Sequence, residues 1–334
     1  MKTQIIKKFG DVSVFQLTDI PKPSLKPGHV LIKVHATSVN QIDCKIRSGA
    51  VPDIAPAFPA VLHGDFSGTI EEMATDVTDF KIGDEVYGCA GGLRGLGGAL
   101  AEYMLADAKL IAKKPKSLSL MEAAALPLVS ITAWEALFDK AHLNKQKTVL
   151  IHGGVGGVGH IAVQLAKSVG AKVYTTVVNS EDIALAKKLG ADEVISVKEE
   201  DAEKYVQRLT EGRGFDVVFD TVGGPNLDHS FFATAMNGVV VTTAARSTHD
   251  LTPLHNKGLS LHVVFMLLPM LTHQGREMHG EILTKLAEIV DQGKLKPLID
   301  PKHFTLKTVN EAHAYLESGK AKGKVILTIQ NEDN

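Results

Sequence analysis

The first part of the chain alternates between apolar and polar positions in short runs that turn residues separate. This alternation predicts strands with one buried face at residues 30–36, 68–73 and 85–87. The segment Lys26-Pro27-Gly28 marks a turn before the first of them, and glycines cluster between Gly88 and Gly98. We therefore expect a β-rich region over roughly the first 110 residues, with a mobile or tightly turned glycine-rich loop near its end.

Helical spacing begins near Ser119, and a regular alternation of strands and helices follows it. The pattern predicts helices at 120–126 and 130–141, with Trp134 and Phe138 on one helix face. Strands are then predicted at 148–152, 172–178, 193–196, 216–220, 238–243 and 259–266, and helices at 158–169, 183–189, 202–210 and 226–235. This alternation indicates the α/β class, with a doubly wound parallel sheet covered by helices on both faces.

The C-terminal part departs from that alternation. A helix is predicted at 281–292, and a strand, a helix and a strand follow at 298–299, 310–318 and 324–330. This tail is more like the β-rich beginning of the chain than its middle. We therefore predict one domain formed by residues 1–122 and 268–334, and a parallel-sheet domain formed by residues 123–267.

Composition and charge narrow the classes of protein to which this chain can belong. Its 334 residues include 36 Lys and Arg against 38 Asp and Glu, which gives a formal net charge of -2. The chain lacks the excess of basic residues that would indicate a surface for nucleic acid or an anionic membrane. It also lacks an apolar run of the about 18 residues that span a bilayer. The 2 cysteines, Cys44 and Cys89, exclude a disulfide scaffold and a zinc lobe of four cysteines. We expect a cytoplasmic protein without nucleic-acid or membrane partners.

The strongest motif lies between the first strand and the first helix of the α/β part. It has the form G-x-G-x-x-G and consists of Gly154, Val155, Gly156, Gly157, Val158 and Gly159. In a strand-turn-helix context the first glycine permits a tight turn, the second lets a pyrophosphate approach the backbone, and the third permits close packing. The helix N-terminus offers free N–H groups and a positive dipole to phosphates. We predict a dinucleotide site here; the alternative is a glycine-rich turn without a ligand.

The end of the second α/β strand bears on which dinucleotide binds. An acidic residue usually stands there to bind the ribose hydroxyls of NADH, but this strand ends in Val177 and Val178. Asn179 and Ser180 follow and can donate hydrogen bonds to a 2′-phosphate, although Asp182 is less favourable to one. We therefore favour NADPH over NADH, with a site that accepts both as the alternative.

Several segments together resemble the zinc-free quinone oxidoreductases, the zeta-crystallin-like family of the medium-chain dehydrogenase/reductase superfamily. These segments are SVNQID at 38–43, KIRSG at 45–49, FPAVLHGDFSG at 58–68, GDEV at 83–86, AAALP at 123–127, GGVGGVG at 153–159, LGAD at 189–192 and GKVIL at 323–327. The likeness spans essentially residues 1–330. It implies a GroES-like β-rich catalytic domain, a Rossmann domain, an active-site cleft between them and a homodimer.

The resemblance also implies roles for individual residues. Asn40 and Asp43 would line the site near nicotinamide and substrate, although an Asx turn or a helix start would equally explain them. Thr132 would approach the nicotinamide, unless it only bonds its own helix backbone. Backbone groups of Phe265, Met266 and Leu267, at the end of the last strand of the parallel sheet, would bind the carboxamide. Lys324 would lie near the cofactor, with a solvated charge run as the alternative.

Zinc is disfavoured by the same comparison. Zinc-dependent relatives carry a cysteine where this chain has Asn40, and their Gly-His-Glu is His63-Gly64-Asp65 here. We predict no metal, and we interpret His63 as a hydrogen-bonded structural histidine. Val51 stands where enoyl-thioester reductases of the family have a tyrosine, which weakens that activity and also removes an aromatic contact of some quinone reductases.

The leading hypothesis is therefore an NADPH-dependent, zinc-free reductase of quinones or related electrophilic carbonyl compounds, with a small molecule as electron acceptor. One alternative is a 2-alkenal or enone reductase acting on the carbon–carbon double bond. Another is a cofactor-binding protein with little turnover that serves in redox sensing or interaction. Behaviour towards a panel of acceptors distinguishes the three.

Overall fold

A computed structural model describes residues 1–330 of the protein. Its strands are β1 (Lys2–Ile5), β2 (Gln16–Asp19), β3 (His29–Val39), β4 (Asp65–Met73), β5 (Glu85–Cys89), β6 (Tyr103–Asp107), β7 (Ile111–Lys113), β8 (Thr148–Ile151), β9 (Lys172–Val177), β10 (Glu193–Ser196), β11 (Phe215–Asp220), β12 (Thr234–Thr242), β13 (Ser260–Val263), β14 (Phe304–Thr305) and β15 (Val325–Thr328). Its α-helices are α1 (Gln41–Ser48), α2 (Leu120–Ala123), α3 (Pro127–Trp134), α4 (Gly157–Ser168), α5 (Ile183–Lys188), α6 (Ala202–Thr210), α7 (Asn226–Ala233), α8 (Thr252–Lys257), α9 (Leu268–Thr272), α10 (Glu277–Asp291) and α11 (Val309–Glu317).

The chain divides into two compact units. The first unit contains Met1–Ile131 and the chain from Leu267 onward, and the second contains Thr132–Met266. Every helix among residues 1–330 is too short or too polar to cross a bilayer.

The first unit is built on a seven-stranded sheet in the order β14-β15-β3-β4-β5-β7, in which β6 also pairs with β3. The C-terminal strand β15 lies antiparallel to β3, with Val325 opposite Val39. Because β3 pairs with β4, β6 and β15, its backbone is covered along its length and most of its side chains are buried. The tail therefore completes the sheet that the N-terminal strands begin.

The glycine-rich segment after β5 is tightly turned and packed. A Cβ atom on Gly98 would lie 2.0 Å from the carbonyl oxygen of Leu62, and one on Gly91 would lie 2.1 Å from that of Gly97. Leu93 between them is only 2% exposed. These glycines allow backbone segments to approach at distances that any side chain would prevent.

The second unit is a six-stranded parallel sheet in the order β10-β9-β8-β11-β12-β13. Counted within the unit, this is the 3-2-1-4-5-6 order of a doubly wound fold, in which the chain reverses direction beside the first strand. The central residues Val217, Val218 and Phe219 of β11 are all 0% exposed, as a strand covered on both faces requires. The α/β prediction is confirmed for this unit.

Some predicted boundaries were wrong. The helix predicted at 226–235 ends at Ala233, because Thr234 already pairs with Phe215 of β11. The last strand ends at Val263, and one further backbone bond joins Val264 to Thr242 before the chain turns into α9. Phe265 and its neighbours therefore follow that strand instead of ending it.

The helix predicted at 130–141 is α-helical only to Trp134 and continues as a π-helix at Glu135–Lys140. Trp134 and Phe138 are in edge-to-face contact at 4.8 Å, as their spacing predicted. The strand predicted at 298–299 is reduced to one bridge, between Ile299 and Lys324.

Candidate functional site

The glycine loop lies at the carboxyl end of β8. Gly153 has the left-handed conformation there, with φ of 75°. The tight turn therefore belongs to Gly153, not to Gly154 as the motif suggested. Gly154 is needed for a different reason, since a Cβ atom there would lie 2.1 Å from the hydroxyl of Thr175 in β9.

The other two motif glycines shape the start of α4. Gly156 is its N-cap, and a Cβ atom at Gly156 would lie no closer than 3.2 Å to the Gly153 carbonyl. On Gly159 the same atom would lie 2.0 Å from that carbonyl, so only glycine lets the helix pack on the loop. The first-turn N–H groups of Gly157, Val158 and Gly159 have no acceptor within the helix. This cradle, with the positive end of the helix dipole, fits a dinucleotide pyrophosphate.

A cleft of about 380 Å³ lies at the ends of β9 and β10, lined by Val178, Asn179, Ser180, Glu181, Ser196, Lys198 and Glu199. In the parallel register Ser196 is opposite Val177, so the residues two positions further on meet. Accordingly, the Lys198 ammonium donates to the Asn179 side-chain oxygen at 2.8 Å. Asn179, Ser180 and Lys198 thus offer hydrogen-bond donors to a phosphate monoester in one cleft, whose lining also includes the carboxylates of Glu181 and Glu199.

Sequence reasoning missed Lys198, because it searched the end of one strand only. It also raised Asp182 as a residue unfavourable to a phosphate. Asp182 is 5% exposed and is not among the residues that line the cleft, so its carboxyl group does not face a ligand there.

A second polar cluster lies in the first unit, where β3, β4 and β15 meet. The register opposes Val325 and Val39, which places Lys324 beside the residue that follows β3, Asn40. The Lys324 ammonium donates to the Asn40 side-chain oxygen, to the Val39 carbonyl at 3.3 Å, and to Asp65 at 3.4 Å. Lys324 is 2% exposed, so its charge is neutralised inside the protein instead of being solvated.

These contacts determine which way the Asn40 amide faces. Its oxygen accepts from Lys324, and its nitrogen donates to Asp65 Oδ2 at 2.9 Å. Asp65 also accepts from Ser38 Oγ at 2.9 Å and from the Leu128 backbone N–H at 2.8 Å, and these bonds hold its carboxylate. The amide nitrogen also forms a side-chain hydrogen bond with the Asp43 carboxyl, so its two hydrogens face the carboxyl groups of Asp65 and Asp43. Asn40 is therefore oriented as a hydrogen-bond donor.

Asp43 has a different role in this cluster. Its carboxylate accepts the backbone N–H of Asn40 at 2.8 Å and caps the start of α1. Burial raises the pKa of the Asp43 carboxyl to about 7, with a further upward contribution from Asp65 that the Asn40 bond and Lys324 oppose. The helix-start interpretation of Asp43 agrees with this geometry.

A chain of buried hydrogen bonds joins α1, α11 and β3 next to this cluster. The Thr37 hydroxyl donates to the Asp65 carbonyl at 2.6 Å, so it accepts from His63 Nδ1 at 3.1 Å. His63 Nε2 is then an acceptor, and His313 Nε2 donates to it at 2.9 Å. His313 Nδ1 in turn accepts from the Cys44 thiol at 3.4 Å.

In this series of hydrogen bonds, His63 and His313 are both neutral, each with one donor and one acceptor nitrogen. Burial holds the pKa of His63 well below its usual range, and it lowers that of His313 to about 3. His63 is 0% exposed and has the left-handed φ of 72°. The structure thus agrees with His63 as a hydrogen-bonded structural residue, although its partner His313 is 250 residues away.

The residues present do not fit a catalytic zinc. Asn40, in the place of the first cysteine, has its oxygen engaged by Lys324, and both ring nitrogens of His63 are in hydrogen bonds. Within residues 1–330 no three His, Cys, Asp or Glu side chains are grouped to hold a metal ion. That the protein binds no zinc stays a prediction, which metal analysis of the purified protein tests.

The remaining predicted site residues lie elsewhere. Thr132 is 5% exposed within α3. Phe265 is 41% exposed in the turn after β13, whereas Met266 and Leu267 are 4% and 5% exposed. Their contacts to a nicotinamide stay predictions, as do the cofactor roles of the glycine loop, Asn179, Ser180 and Lys324.

Comparison with known proteins relates both units to characterised folds. A family model for the alcohol dehydrogenase GroES-like domain matches residues 26–116, and one for zinc-binding dehydrogenases matches residues 189–327. The chain is 36% identical to 2-methylene-furan-3-one reductase of Solanum lycopersicum, over 98% of this chain and 79% of that protein. It is 34% identical to the chloroplastic NADPH-dependent alkenal/one oxidoreductase of Arabidopsis thaliana, over the same shares.

Among solved structures, Escherichia coli quinone oxidoreductase complexed with NADPH superimposes with a TM-score of 0.88 at 27% identity, over 98% of this chain and 100% of that one. The GroES-like and Rossmann folds and the predicted family are thereby confirmed. The chain belongs to the medium-chain dehydrogenase/reductase superfamily, as a quinone-oxidoreductase-like NAD(P)H-dependent oxidoreductase.

Proposed function

We propose that the protein is an NADPH-dependent reductase of electrophilic conjugated carbonyl compounds, namely quinones and α,β-unsaturated ketones or aldehydes. One observation carries the proposal: the Asn40 amide is held as a hydrogen-bond donor by Lys324 and Asp65. An acceptor whose oxygen gains negative charge during reduction needs such a donor.

The residues of the second unit support NADPH as the cofactor. The pyrophosphate would bind the N–H groups at the start of α4, between Gly156 and Gly159. The 2′-phosphate would bind Asn179, Ser180 and Lys198. NADH lacks this phosphate and would leave the positive charge of Lys198 without an anionic partner on the cofactor. The bound cofactor supplies a hydride.

The residues of the first unit would act on the acceptor. Asn40 would donate to the acceptor oxygen the N–H that otherwise faces Asp43, and the Lys324 ammonium behind it would increase the acidity of that N–H. Lys324 makes three hydrogen bonds of its own, so it serves to orient Asn40 and not as the proton donor. We assign the proton to water.

The relatives favour the enone alternative as strongly as the quinone one. Two of them are named for reduction of a methylene-furanone and of alkenals or enones, and the E. coli structure is named a quinone oxidoreductase. Hydride addition to the β-carbon of an enone and to a quinone both place negative charge on a carbonyl oxygen, which Asn40 would stabilise in the same way.

Chelator-treated protein should be assayed for NADPH and NADH consumption with an ortho-quinone, a para-quinone and a 2-alkenal, with identification of the products. We expect zinc-independent turnover with NADPH, and the preferred acceptor decides between the two reductase alternatives. Tight NADPH binding with no turnover of any acceptor would instead support the redox-sensing or interaction protein.

The Asn40 assignment is tested by Asn40→Ala and Lys324→Met. Both should lower kcat while NADPH affinity, measured by fluorescence, stays within about twofold, because this proposal assigns Lys324 to Asn40 and not to the cofactor. Lys307→Met, at an exposed lysine of the same unit, is the matched control. Full turnover by both Asn40→Ala and Lys324→Met would refute the site.

We also propose a homodimer through the outer edge of β13. This strand is last in the sheet order, and its partner within the described residues is β12, so its other edge is unpaired. Val263 and Phe265 there are 49% and 41% exposed. Light scattering should give a dimer mass, reduced by Val263→Lys but not by Ile82→Lys, at another exposed apolar residue.

The cytoplasmic location stays a prediction, and the name of the Arabidopsis relative places that protein in the chloroplast.

A further inference from the structure

The loop between β12 and α8 brings a serine, a histidine and an aspartate into a hydrogen-bonded row. His249 Nδ1 lies 2.9 Å from Oδ1 of Asp228, and His249 Nε2 lies 2.6 Å from Oγ of Ser247. An aspartate carboxylate only accepts, so Nδ1 carries the hydrogen and donates it to Asp228. Nε2 is then an acceptor, and the Ser247 hydroxyl donates to it.

This direction of the hydrogen bonds is the one that activates a serine nucleophile. The base, His249, accepts from the serine hydroxyl, and the carboxylate of Asp228 accepts from the other side of the base. The histidine is held in place, since 8% of its side chain is exposed and its ring contacts Phe231 edge to face at 6.1 Å. Asp228 lies in the first turn of α7. The start of this helix is held by a hydrogen bond of 3.0 Å from the Asn226 side-chain nitrogen to Asp220. Base and carboxylate are therefore positioned by the second unit itself.

Ser247 is accessible to a reactant. It is exposed, and the loop leaves β12 at its carboxyl end, the edge of a parallel sheet at which ligands bind. Arg246 beside it is exposed as well and brings a positive charge to the loop, which suits an oxyanion. Ser247 is exposed and is not among the residues that line the cleft at the ends of β9 and β10, so we assign it a short acyl group, which needs no enclosing pocket.

We infer that Ser247, His249 and Asp228 form a hydrolytic site for esters of small carboxylic acids, made of residues other than those of the proposed reductase site. Ser247 Oγ bonds to the acyl carbon while its proton passes to His249 Nε2; the ester C–O bond breaks and the alcohol leaves with that proton. Water then attacks the acyl-serine, giving up a proton to His249, and the carboxylic acid and free serine are regenerated. Asp228 is a positioning residue.

The test is hydrolysis of p-nitrophenyl acetate by the full chain, with and without NADPH. We expect release above the buffer rate, and at least about tenfold less with Ser247→Ala or His249→Gln. Because surface imidazoles also react with this ester, His142→Gln is the control for an exposed histidine without a serine, and Ser13→Ala for a serine that donates to an aspartate. Both controls should hydrolyse at the wild-type rate.

Two further measurements separate the site from a structural turn. Peptide mass mapping of protein quenched during turnover should find the acetyl group on Ser247. Asp228→Asn should lower kcat for the ester with KM unchanged, because His249 loses the carboxylate that orients its ring towards Ser247. Unchanged thermal midpoints would show that the variants are folded. Wild-type hydrolysis by folded Ser247→Ala, acetylation only at other residues, or an unaltered kcat in Asp228→Asn would overturn the inference.

Discussion

His63 and His313 face each other through their Nε2 atoms at 2.9 Å, inside the first unit and without solvent contact. Thr37 on one side and Cys44 on the other make each ring neutral, so a single hydrogen occupies the space between the two nitrogens. This bond joins helix α11 to the turn before β4; protonation of His63 Nε2 removes its acceptor, and protonation of His313 Nδ1 removes the acceptor of the Cys44 thiol.

Acid should therefore weaken the fold. The pKa of each ring is depressed below 6.5 by burial, so its stabilising contribution is full above pH 6.5 and is lost as the pH falls towards 3. Each histidine contributes a slope of up to about 1.4 kcal/mol per pH unit. Urea unfolding midpoints at pH 7.5, 6 and 5 measure the effect. His313→Gln should flatten this dependence and His142→Gln should not; equal flattening by both would contradict the assignment.

Asp43→Asn should stabilise the protein relative to wild type as the pH rises. The Asp43 pKa is raised from 3.8 to about 7, so the protonated form is favoured in the fold and a penalty grows between pH 4 and 7. The amide keeps an oxygen for the Asn40 backbone N–H. The difference in urea midpoint between variant and wild type should increase up to pH 7 and then level off. Asp79→Asn, at an exposed aspartate, is the control, and a difference independent of pH would count against the raised pKa.

Lys198→Met should weaken NADPH binding by about tenfold or more and leave NADH binding unchanged, because the lost charge-assisted bond involves only the 2′-phosphate. Fluorescence titrations with both cofactors measure this. Lys188→Met, at an exposed lysine on α5, should alter neither affinity. An equal loss for both cofactors would place Lys198 outside the phosphate site.

The two glycines of the cofactor loop should respond differently to alanine. Gly159→Ala puts a Cβ atom 2.0 Å from the Gly153 carbonyl and should destabilise the fold by about 1–3 kcal/mol. Gly156→Ala meets its nearest atom at 3.2 Å and should reduce stability by less than about 1 kcal/mol, while obstructing the pyrophosphate. Urea midpoints and NADPH titration separate the two effects. A stability loss at Gly156 as large as at Gly159 would show that both glycines serve packing alone.

The pattern of the sequence predicted much of this molecule. The strands of the parallel sheet and the glycine loop follow from periodicity and local chemistry, which neighbouring residues in the chain determine. Asn40, Asp43 and Lys324 were each recognised as candidates, although no local signal indicated that Lys324 orients the Asn40 amide. That contact depends on the register of β15 against β3, which the sequence does not state.

Element ends were predicted less well than element types. The strand expected at 259–266 stops at Val263, and the helix expected to 235 stops at Ala233, because pairing with β11 and β12 outweighs the helix or strand preference of single residues. Lys198 was missed for a related reason: its relation to Asn179 exists only once two strands lie side by side in parallel.

Residue types and their short spacing are enough to identify the two kinds of unit, the dinucleotide motif and the family. Three contacts could not be predicted in this way: that of His63 with His313, that of Lys198 with Asn179, and that of His249 with Asp228. Hydrogen bonds act over about 3 Å, and chain segments far apart in sequence come that close only through packing and strand register.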